Sequence, residues 1–251
     1  MISIDFNCDL GEGAGHDAEL MPLITSANIA CGGHAGDAGT MRAAVELAAL
    51  HGVAIGAHPG FEDRGNFGRI ELELPEGEVF ALVTRQVRAL AECARARGQR
   101  LAHVKPHGGL YNLAARDGRV AREVARAVWE MDSGLILVGL AGSQLPAAGC
   151  ACGLSVAHEA FADRAYAPDG SLVPRTRAGA MIGDAAAAAA QGLWLARAQR
   201  VRAADGTDVA VRADTLCLHG DGPEAVAFGR RLRADLESAG ILLRPLHPTA
   251  S

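Results

Sequence analysis

Short hydrophobic runs alternate with polar, glycine-rich clusters along the whole chain. Seven runs carry this pattern: ISIDFN, SANIAC, GVAIGA, LAHVK, LILVGL, LSVAHE and DTLCLH. Each has the length of a buried parallel strand, and each is followed by charged residues, histidines or glycines. In a parallel barrel the loops after the strands meet on one face and build the site there. The pattern therefore predicts an α/β protein, an irregular parallel (β/α) barrel of about seven strands.

Amphipathic segments of helical length separate these runs. AGTMRAAVELAALHG follows the second run and stops at Gly52, and a longer segment that starts at Pro75 ends at Gly98. GRVAREVARAVWEM precedes the fifth run, and PEAVAFGRRLRADLESAG follows the seventh. Their apolar residues recur at helical spacing, and glycine is a common helix stop. Strands that alternate with such helices favour right-handed βαβ units and a parallel sheet.

The segment from about 166 to 214 departs from this rhythm. It contains YAPDGSLVPRTRAGAMI, an alanine-rich helix and two short alternating runs around Asp205-Gly206, a pair typical of a β-hairpin turn. We interpret it as an elaboration packed beside the barrel. No repeat, linker or low-complexity stretch divides the chain, so residues 1–251 are predicted to form a single domain.

Composition and charge exclude several classes of function. The net charge is -5 and aromatic residues make up 4%, so neither a basic stripe nor a set of stacking rings predicts nucleic-acid binding. No stretch approaches the ~20 apolar residues of a membrane span, and the first residues lack the basic segment of a signal peptide. The six cysteines lack the spacing of a structural zinc site. We expect reduced thiols and a cytoplasmic location.

The first two polar clusters offer residues suited to catalysis or binding. NCDLGEG contains Asn7, Asp9 and Glu12 among glycines that let the backbone approach a ligand closely. A turn combined with a helix cap would explain one of these residues but not all three. CGGHAGD adds His34 and Asp37. A role for Asp37 as the N-cap of the following helix is an equally good explanation of that residue.

The third and fourth clusters add histidines and a lysine. His58 ends the third run and precedes a long, charged loop, a kind of loop that is more often functional than structural. In HVKPHGGLYN, Lys105 comes at the end of a strand and His107 lies in the turn that follows. A lysine in a partly desolvated pocket can polarise a carbonyl or hold a phosphate.

The last clusters follow the sixth and seventh runs. Asp163 and Arg164 are neighbours in FADRAY, where a salt bridge that fixes the loop explains them as well as a binding role does. His219 and Asp221 lie among glycines after the final run. That turn is where a barrel places catalytic residues.

Taken together, these motifs resemble one family. NCDLGEG, SANIACGGHAGD, GVAIGAHPGF, HVKPHGGLYN, FADRAY and the closing LHGD are similar to the LamB/YcsF family of 5-oxoprolinase subunits, from about Phe6 to Gly240. The resemblance implies an irregular barrel related to the polysaccharide deacetylases. It also implies ATP-dependent opening of 5-oxoproline to glutamate, together with the two partner chains of such an enzyme, 5-oxoprolinase subunits B and C.

Cleavage of a lactam needs an activated carbonyl, a delivered water and a proton for the leaving nitrogen. The predicted catalytic residues are Asp9, His34, His58, Lys105, His107 and His219. The predicted substrate-binding residues are Asn7, Glu12, Asp37, Asp163, Arg164 and Asp221. ATP is expected as co-substrate, with a divalent cation able to accompany it. No G-x-x-x-x-G-K-[ST] loop is present, so the sequence does not locate a nucleotide site.

Two other functions stay open at this point. Asp9 and several histidines could converge on Zn²⁺ or Mn²⁺ at the barrel mouth, as in a metal-dependent deacetylase or amidohydrolase. We nevertheless expect no dedicated metal site. The chain could instead be a non-catalytic subunit that presents substrate to its partners. Metal content tests the first alternative, and substitutions of Lys105 or His34 that spare substrate affinity test the second.

Overall fold

Parallel strands close into a barrel at the centre of the structure, a computed structural model that describes residues 2–219, 222 and 224–247. The strands are β1 Ser3–Leu10, β2 Ser26–Ala30, β3 Ala54–His58, β4 Leu101–Val104, β5 Ile136–Leu140, β6 Ser155–Phe161, β7 Arg200–Arg202, β8 Asp208–Ala210, β9 Thr215–Leu218 and β10 Leu242–Leu243. Strands β1 to β6 pair in chain order, β6 pairs with β9, and β9 pairs with β1. This ring confirms the predicted seven-stranded parallel barrel, and each of the seven hydrophobic runs contributes one strand.

Helices cover the outside of the ring. They are α1 Asp17–Leu20, α2 Ala38–His51, α3 Glu78–Arg95, α4 Gly108–Arg116, α5 Gly118–Met131, α6 Gln144–Ala151, α7 Ala185–Ala198 and α8 Ala225–Ser238, with single 3₁₀ turns at Met21–Leu23 and Arg64–Asn66. The four amphipathic segments of the sequence form α2, α3, α5 and α8, while α4 and α6 were not predicted. Within the described part of the chain, no helix combines the length and the apolar character that a membrane crossing requires.

The elaboration between β6 and β9 lies beside the ring. It includes α7 and the antiparallel pair β7–β8, whose turn contains Asp205 and Gly206 as predicted. Gly206 has φ +89°, a left-handed conformation that glycine adopts without strain. The short strand β10 adds a parallel pairing to the first residues of β1.

The two faces of the barrel strands differ in polarity. On β1, Ile4, Phe6 and Cys8 belong to the apolar core beneath the helices. Side chains alternate along a strand, so the intervening residues Asp5, Asn7 and Asp9 point into the barrel. Asn7 confirms this orientation, because its side chain bonds Glu159 of β6, a strand that is not a neighbour of β1 in the ring. The interior of this barrel is therefore polar.

Candidate active site

A hydrogen-bonded carboxyl group forms the lowest polar layer inside the barrel. Asp5 accepts hydrogen bonds from the hydroxyls of Thr25, Ser26 and Thr215 at 2.7, 2.6 and 2.5 Å. Burial raises the pKa of Asp5, and the three hydroxyl hydrogen bonds partly offset that rise. The layer ties β1, β2 and β9 together below the site.

Two asparagines and a histidine form the next layer. Asn28 Nδ2 donates to Asn7 Oδ1 and to Asp9 Oδ1, both at 2.8 Å. Asn28 Oδ1 in turn accepts from His103 Nε2 at 2.7 Å. Burial, together with the charge on Lys105, lowers the pKa of His103 to about 3, so this ring is neutral. The layer fixes Asp9 in position from below.

Lys105 stands above these layers and is the only lysine in the sequence. Its side chain is 3% exposed, and Nζ lies 2.9 Å from Asp9 Oδ1 and 2.8 Å from Glu159 Oε1. Burial alone would lower the pKa of Lys105, but the negative neighbours, led by Asp9, hold it well above its ordinary value. Burial would likewise raise the pKa of Asp9, and His58 and Lys105 hold it well below its usual range. The barrel thus presents a fixed, charged ammonium group.

Three imidazoles surround one carboxylate beside Asp9. Glu12 Oε1 lies 3.0 Å from His34 Nε2, 3.3 Å from His107 Nδ1 and 3.8 Å from His58 Nε2. The rings of His34 and His107 stack with centroids 3.6 Å apart, and His58 meets both edge-on. Burial would raise the pKa of Glu12, but hydrogen bonds to His107 and His34 lower it to about 2. We call Glu12, His34, His58 and His107 the imidazole cluster.

Glycines allow the loops to close around the imidazole cluster. A Cβ at Gly60 would lie 2.8 Å from His34 Nδ1, and one at Gly68 would lie 2.5 Å from the Cβ of His34. Gly68 also has φ +62°, where any other residue would be strained. The glycine-rich loops that follow β2, β3 and β4 are therefore needed to bring His34 and His107 into contact.

A second carboxylate–imidazole pair lies across from the cluster. Asp163 Oδ2 accepts from His219 Nδ1 at 2.8 Å and from the backbone N–H of His219 at 3.3 Å. This bond places the ring proton on Nδ1 and leaves Nε2 as an acceptor. Burial would raise the pKa of Asp163, but His219 outweighs burial and lowers it. His219 also stacks on Phe161, with centroids 5.5 Å apart.

These groups share one cavity of about 960 Å³ at the carboxyl ends of the strands. The predicted site residues in its wall are Asp9, Glu12, His58, Lys105, His107, Arg164 and His219. Three further arginines, Arg69, Arg116 and Arg175, belong to the same wall. The cavity therefore combines carboxylates, imidazoles and a buried ammonium group at one place with guanidinium groups around them.

Other predicted residues stand behind the wall or away from it. Asn7 lies below Asp9, His34 behind Glu12, and Asp163 behind His219, where each holds a cavity residue by hydrogen bonds. Asp37 does not reach the cavity: it caps α2 by accepting from the N–H groups of Gly39 and Thr40, so its predicted substrate contact is corrected to a structural role.

Two further predicted residues need separate comment. Arg164 reaches the cavity, but its guanidinium group also donates to the carbonyls of Ala180 at 3.3 Å and Val173 at 2.7 Å. Those bonds fix the segment that follows β6, so the predicted binding role is joined by a structural one. Asp221 lies outside the described residues.

Glu159 was absent from the predicted site residues, although the structure places its carboxylate against Lys105. Tyr111 was absent as well; its pKa is raised well above the ordinary value by burial and then by Glu159. The signal for Glu159 was available, because a carboxylate interrupts the apolar strand SVAHEAF at a position that alternates with Phe161. A charged residue inside a buried strand needs a partner, and here the partner is the lysine.

A closed parallel ring of strands, with a polar cavity at their carboxyl ends, defines a (β/α)-barrel protein whose site is built by the loops after the strands. The model of the LamB/YcsF family matches residues 4–251, and this chain belongs to that family.

Solved structures place the fold in a wider context. A lactam utilization protein from Thermus thermophilus is 47% identical, with a TM-score of 0.92, over 98% of this chain and 100% of that one. A family 4 carbohydrate esterase from Streptomyces lividans shares 12% identity with a TM-score of 0.54, over 98% of this chain and 94% of that one. The second likeness concerns the fold alone, and it agrees with the predicted relation to deacetylase barrels.

Proposed function

We propose that this protein opens a cyclic amide, 5-oxoproline, to give glutamate. The observation that carries the proposal is that one cavity contains both a fixed ammonium group, Lys105, and a carboxylate-oriented imidazole, His219. Lactam cleavage requires both kinds of group, one for the negative charge at the carbonyl and one for proton transfer. The name of the Thermus relative, a lactam utilization protein, supports the same substrate class.

Lys105 suits the first requirement. Its Nζ is held by two carboxylates and shielded from water, so the charge is positioned before the reaction begins. Such a group stabilises negative charge on the lactam oxygen, or on a phosphoryl group attached to it. Phe161 lies 5.7 Å from Nζ and keeps that side of the ammonium group dry.

His219 suits the second requirement. Because Asp163 holds the proton on Nδ1, Nε2 is free to take a proton from water and to pass it to the ring nitrogen as the C–N bond breaks. Asp163 then stabilises the imidazolium form, as a carboxylate does in other oriented imidazole pairs.

ATP and the partner subunits B and C complete the proposal. Phosphorylation of the lactam oxygen turns an unreactive amide into a better electrophile. The balanced reaction consumes 5-oxoproline, ATP and two waters and yields glutamate, ADP and phosphate. The cavity volume of about 960 Å³ lies at the upper end of the range for small-molecule sites, which leaves room for a phosphoryl group beside a small amino-acid derivative.

The test is reconstitution of the chain with subunits B and C, with glutamate release measured with and without ATP. We expect turnover only with all three chains and ATP, and we expect Lys105→Met to lower kcat about 100-fold or more. Arg88→Met, which removes an exposed cation on α3, is the matched control and should leave turnover unchanged. Full activity of Lys105→Met would refute the proposed role of the lysine.

A stability control belongs with this experiment. Without the ammonium group, Asp9 and Glu159 would face each other as uncompensated buried carboxylates, and breaking such an arrangement costs about 3–5 kcal/mol. Lys105→Met/Glu159→Gln should recover part of that loss without recovering turnover. If the variant lowers kcat but retains substrate affinity, the chain is not a merely binding subunit. ATP-dependent turnover by the isolated chain would contradict the proposed need for partners.

A further inference from the structure

Two rings of the imidazole cluster are oriented by backbone carbonyls. His58 Nδ1 lies 2.7 Å from the carbonyl oxygen of Lys105, and His107 Nε2 lies 2.9 Å from that of Phe67. A carbonyl oxygen only accepts hydrogen bonds, so both of these nitrogens carry hydrogen. In the neutral rings, the remaining nitrogens, His58 Nε2 and His107 Nδ1, therefore present lone pairs.

Those lone pairs point at each other and at carboxylates. His58 Nε2 is 2.9 Å from His107 Nδ1, and Glu12 Oε1 lies 3.8 and 3.3 Å from the two nitrogens. Asp9 Oδ2 is 3.3 Å from His58 Nε2. All four atoms are acceptors when the rings are neutral, so the arrangement needs a cation between them.

The formal charges lead to the same requirement. Asp9, Glu12 and Glu159 carry three carboxylates within this part of the barrel, and the single ammonium group of Lys105 bonds two of them, Asp9 and Glu159. Glu12 and the remaining negative charge face the histidines. A divalent cation would balance them.

His34 has a different position in the cluster. Its Nδ1 is buried without a hydrogen-bond partner, and its Nε2 is 3.0 Å from Glu12 Oε1. A buried N–H without a partner is rare, whereas an unused lone pair costs less. The proton is thus on Nε2, and His34 donates to Glu12. It is a positioning residue for that carboxylate.

We propose that Glu12, His58 and His107 bind a divalent transition-metal ion, with Zn²⁺ the best match to two imidazoles and one carboxylate. Ligand atoms about 2.0–2.1 Å from a tetrahedral ion lie roughly 3.3 Å apart, and the three separations here are 2.9, 3.3 and 3.8 Å. Metal-bound histidines commonly donate their other N–H to a carbonyl or carboxylate, as both rings do here.

The position of the site gives the ion access to small molecules. All three ligands belong to the cavity wall, which leaves the remaining coordination position open to water or substrate. This site does not depend on the proposed lactam chemistry, and it would overturn the sequence-based expectation of no dedicated metal site.

Zinc binding by the isolated full chain tests the proposal without substrate or ATP. After chelator treatment, titration with Zn²⁺ against a competing chelator should show one equivalent bound. Glu12→Gln and His107→Gln should weaken binding at least 100-fold, and His34→Gln by about 10–100-fold, the usual effect of losing a residue that orients a ligand. His51→Gln, at an exposed position on α2, is the matched control for adventitious histidine binding and should bind as the parent does.

A measurement on the unmodified chain covers the case in which a variant fails to fold. X-ray absorption at the zinc edge should show two imidazole ligands and oxygen ligands on the bound ion. Absence of stoichiometric Zn²⁺, unchanged affinity in folded His107→Gln, or a spectrum without imidazole would overturn the proposal, and a proton shared between His58 and His107 would then be the balancing cation. None of these results bears on glutamate release, so failure here is distinguishable from failure of the proposed function.

Discussion

Single residues inside this barrel carry an uncommon burden. Apolar branched side chains usually fill the interior of a (β/α) barrel, but here Asp5, Asn7, Asn28, His103 and Glu159 occupy it. Each buried polar group needs a partner, and loss of one partner leaves the other unsatisfied at a cost of about 1–3 kcal/mol. The layers below the cavity therefore hold Asp9 and Lys105 in place only as a complete set.

The neutral state of His103 predicts a specific dependence of stability on pH. Its pKa is about 3 in the folded chain, below the ordinary 6.5, because of burial and the nearby lysine charge. Below pH 6.5 the unfolded chain binds a proton at this residue and the folded chain does not, so stability is lost as the pH falls. Between about pH 5.5 and 4.5, this residue should contribute a slope of about 1.4 kcal/mol per pH unit.

Urea unfolding of the parent chain and of His103→Gln checks this expectation. Glutamine keeps a donor for Asn28 but does not titrate. The free energy of unfolding of the variant should fall less steeply with decreasing pH by the amount given above. Equal slopes for the two chains would show that His103 is protonated in the folded state.

At the scale of elements, the hydrophobic runs predicted the strands, whereas α4 and α6 escaped prediction. Gly108 and Gly109 at the start of α4 suggest a loop, yet the fold uses them for close packing. A Cβ on Gly108 would lie 2.7 Å from the carbonyl oxygen of Gly68, and one on Gly109 would lie 2.5 Å from that of Ile70. Such approaches between distant segments override local propensity, and a single segment does not reveal them.

Strands β3 and β4 are joined by a similar close approach. The ring of His103 lies against Gly56, where an added Cβ would be 2.0 Å from Nε2. Gly56→Ala should therefore displace the ring, break its bond to Asn28 and lower stability by about 2–3 kcal/mol.

A double-mutant cycle measured by chemical denaturation isolates that clash. Gly56→Ala/His103→Ala should be more stable than the sum of the two single losses predicts, because the smaller residue at 103 leaves room for the new methyl group. Additive losses would place the cause of the Gly56→Ala effect somewhere other than His103.

At the scale of the whole molecule, closure of the ring brings together residues that are far apart in sequence. The strand-end rule predicted that Asp9, His34, His58, Lys105 and His219 would meet, and the structure places them around one cavity. The rule did not predict the layers beneath them, because hydrogen bonds such as that between Asn7 and Thr215 depend on β9 returning to β1. It also could not separate the cap residue Asp37 from the residues that face inward.

Arg164 connects the barrel to the elaboration over its mouth. Arg164→Met would leave the carbonyls of Val173 and Ala180 without this donor, so residues 165–182 should exchange amide hydrogens faster. Hydrogen exchange followed by mass spectrometry is the measurement, with Arg177→Met, an exposed position in the same segment, as the control. Protection unchanged in Arg164→Met would mean that other contacts fix the segment.

The burial of Lys105 has a consequence for the chemical reactivity of the whole surface. Apart from Lys105, the long cationic side chains of this sequence are all arginines, so the folded protein exposes no lysine amine. Acetylating enzymes, ubiquitin ligases and amine-reactive crosslinkers all attack such amines. Side-chain labelling by an amine reagent would therefore report opening of the barrel itself, and one buried nitrogen becomes a built-in sensor of the intact site.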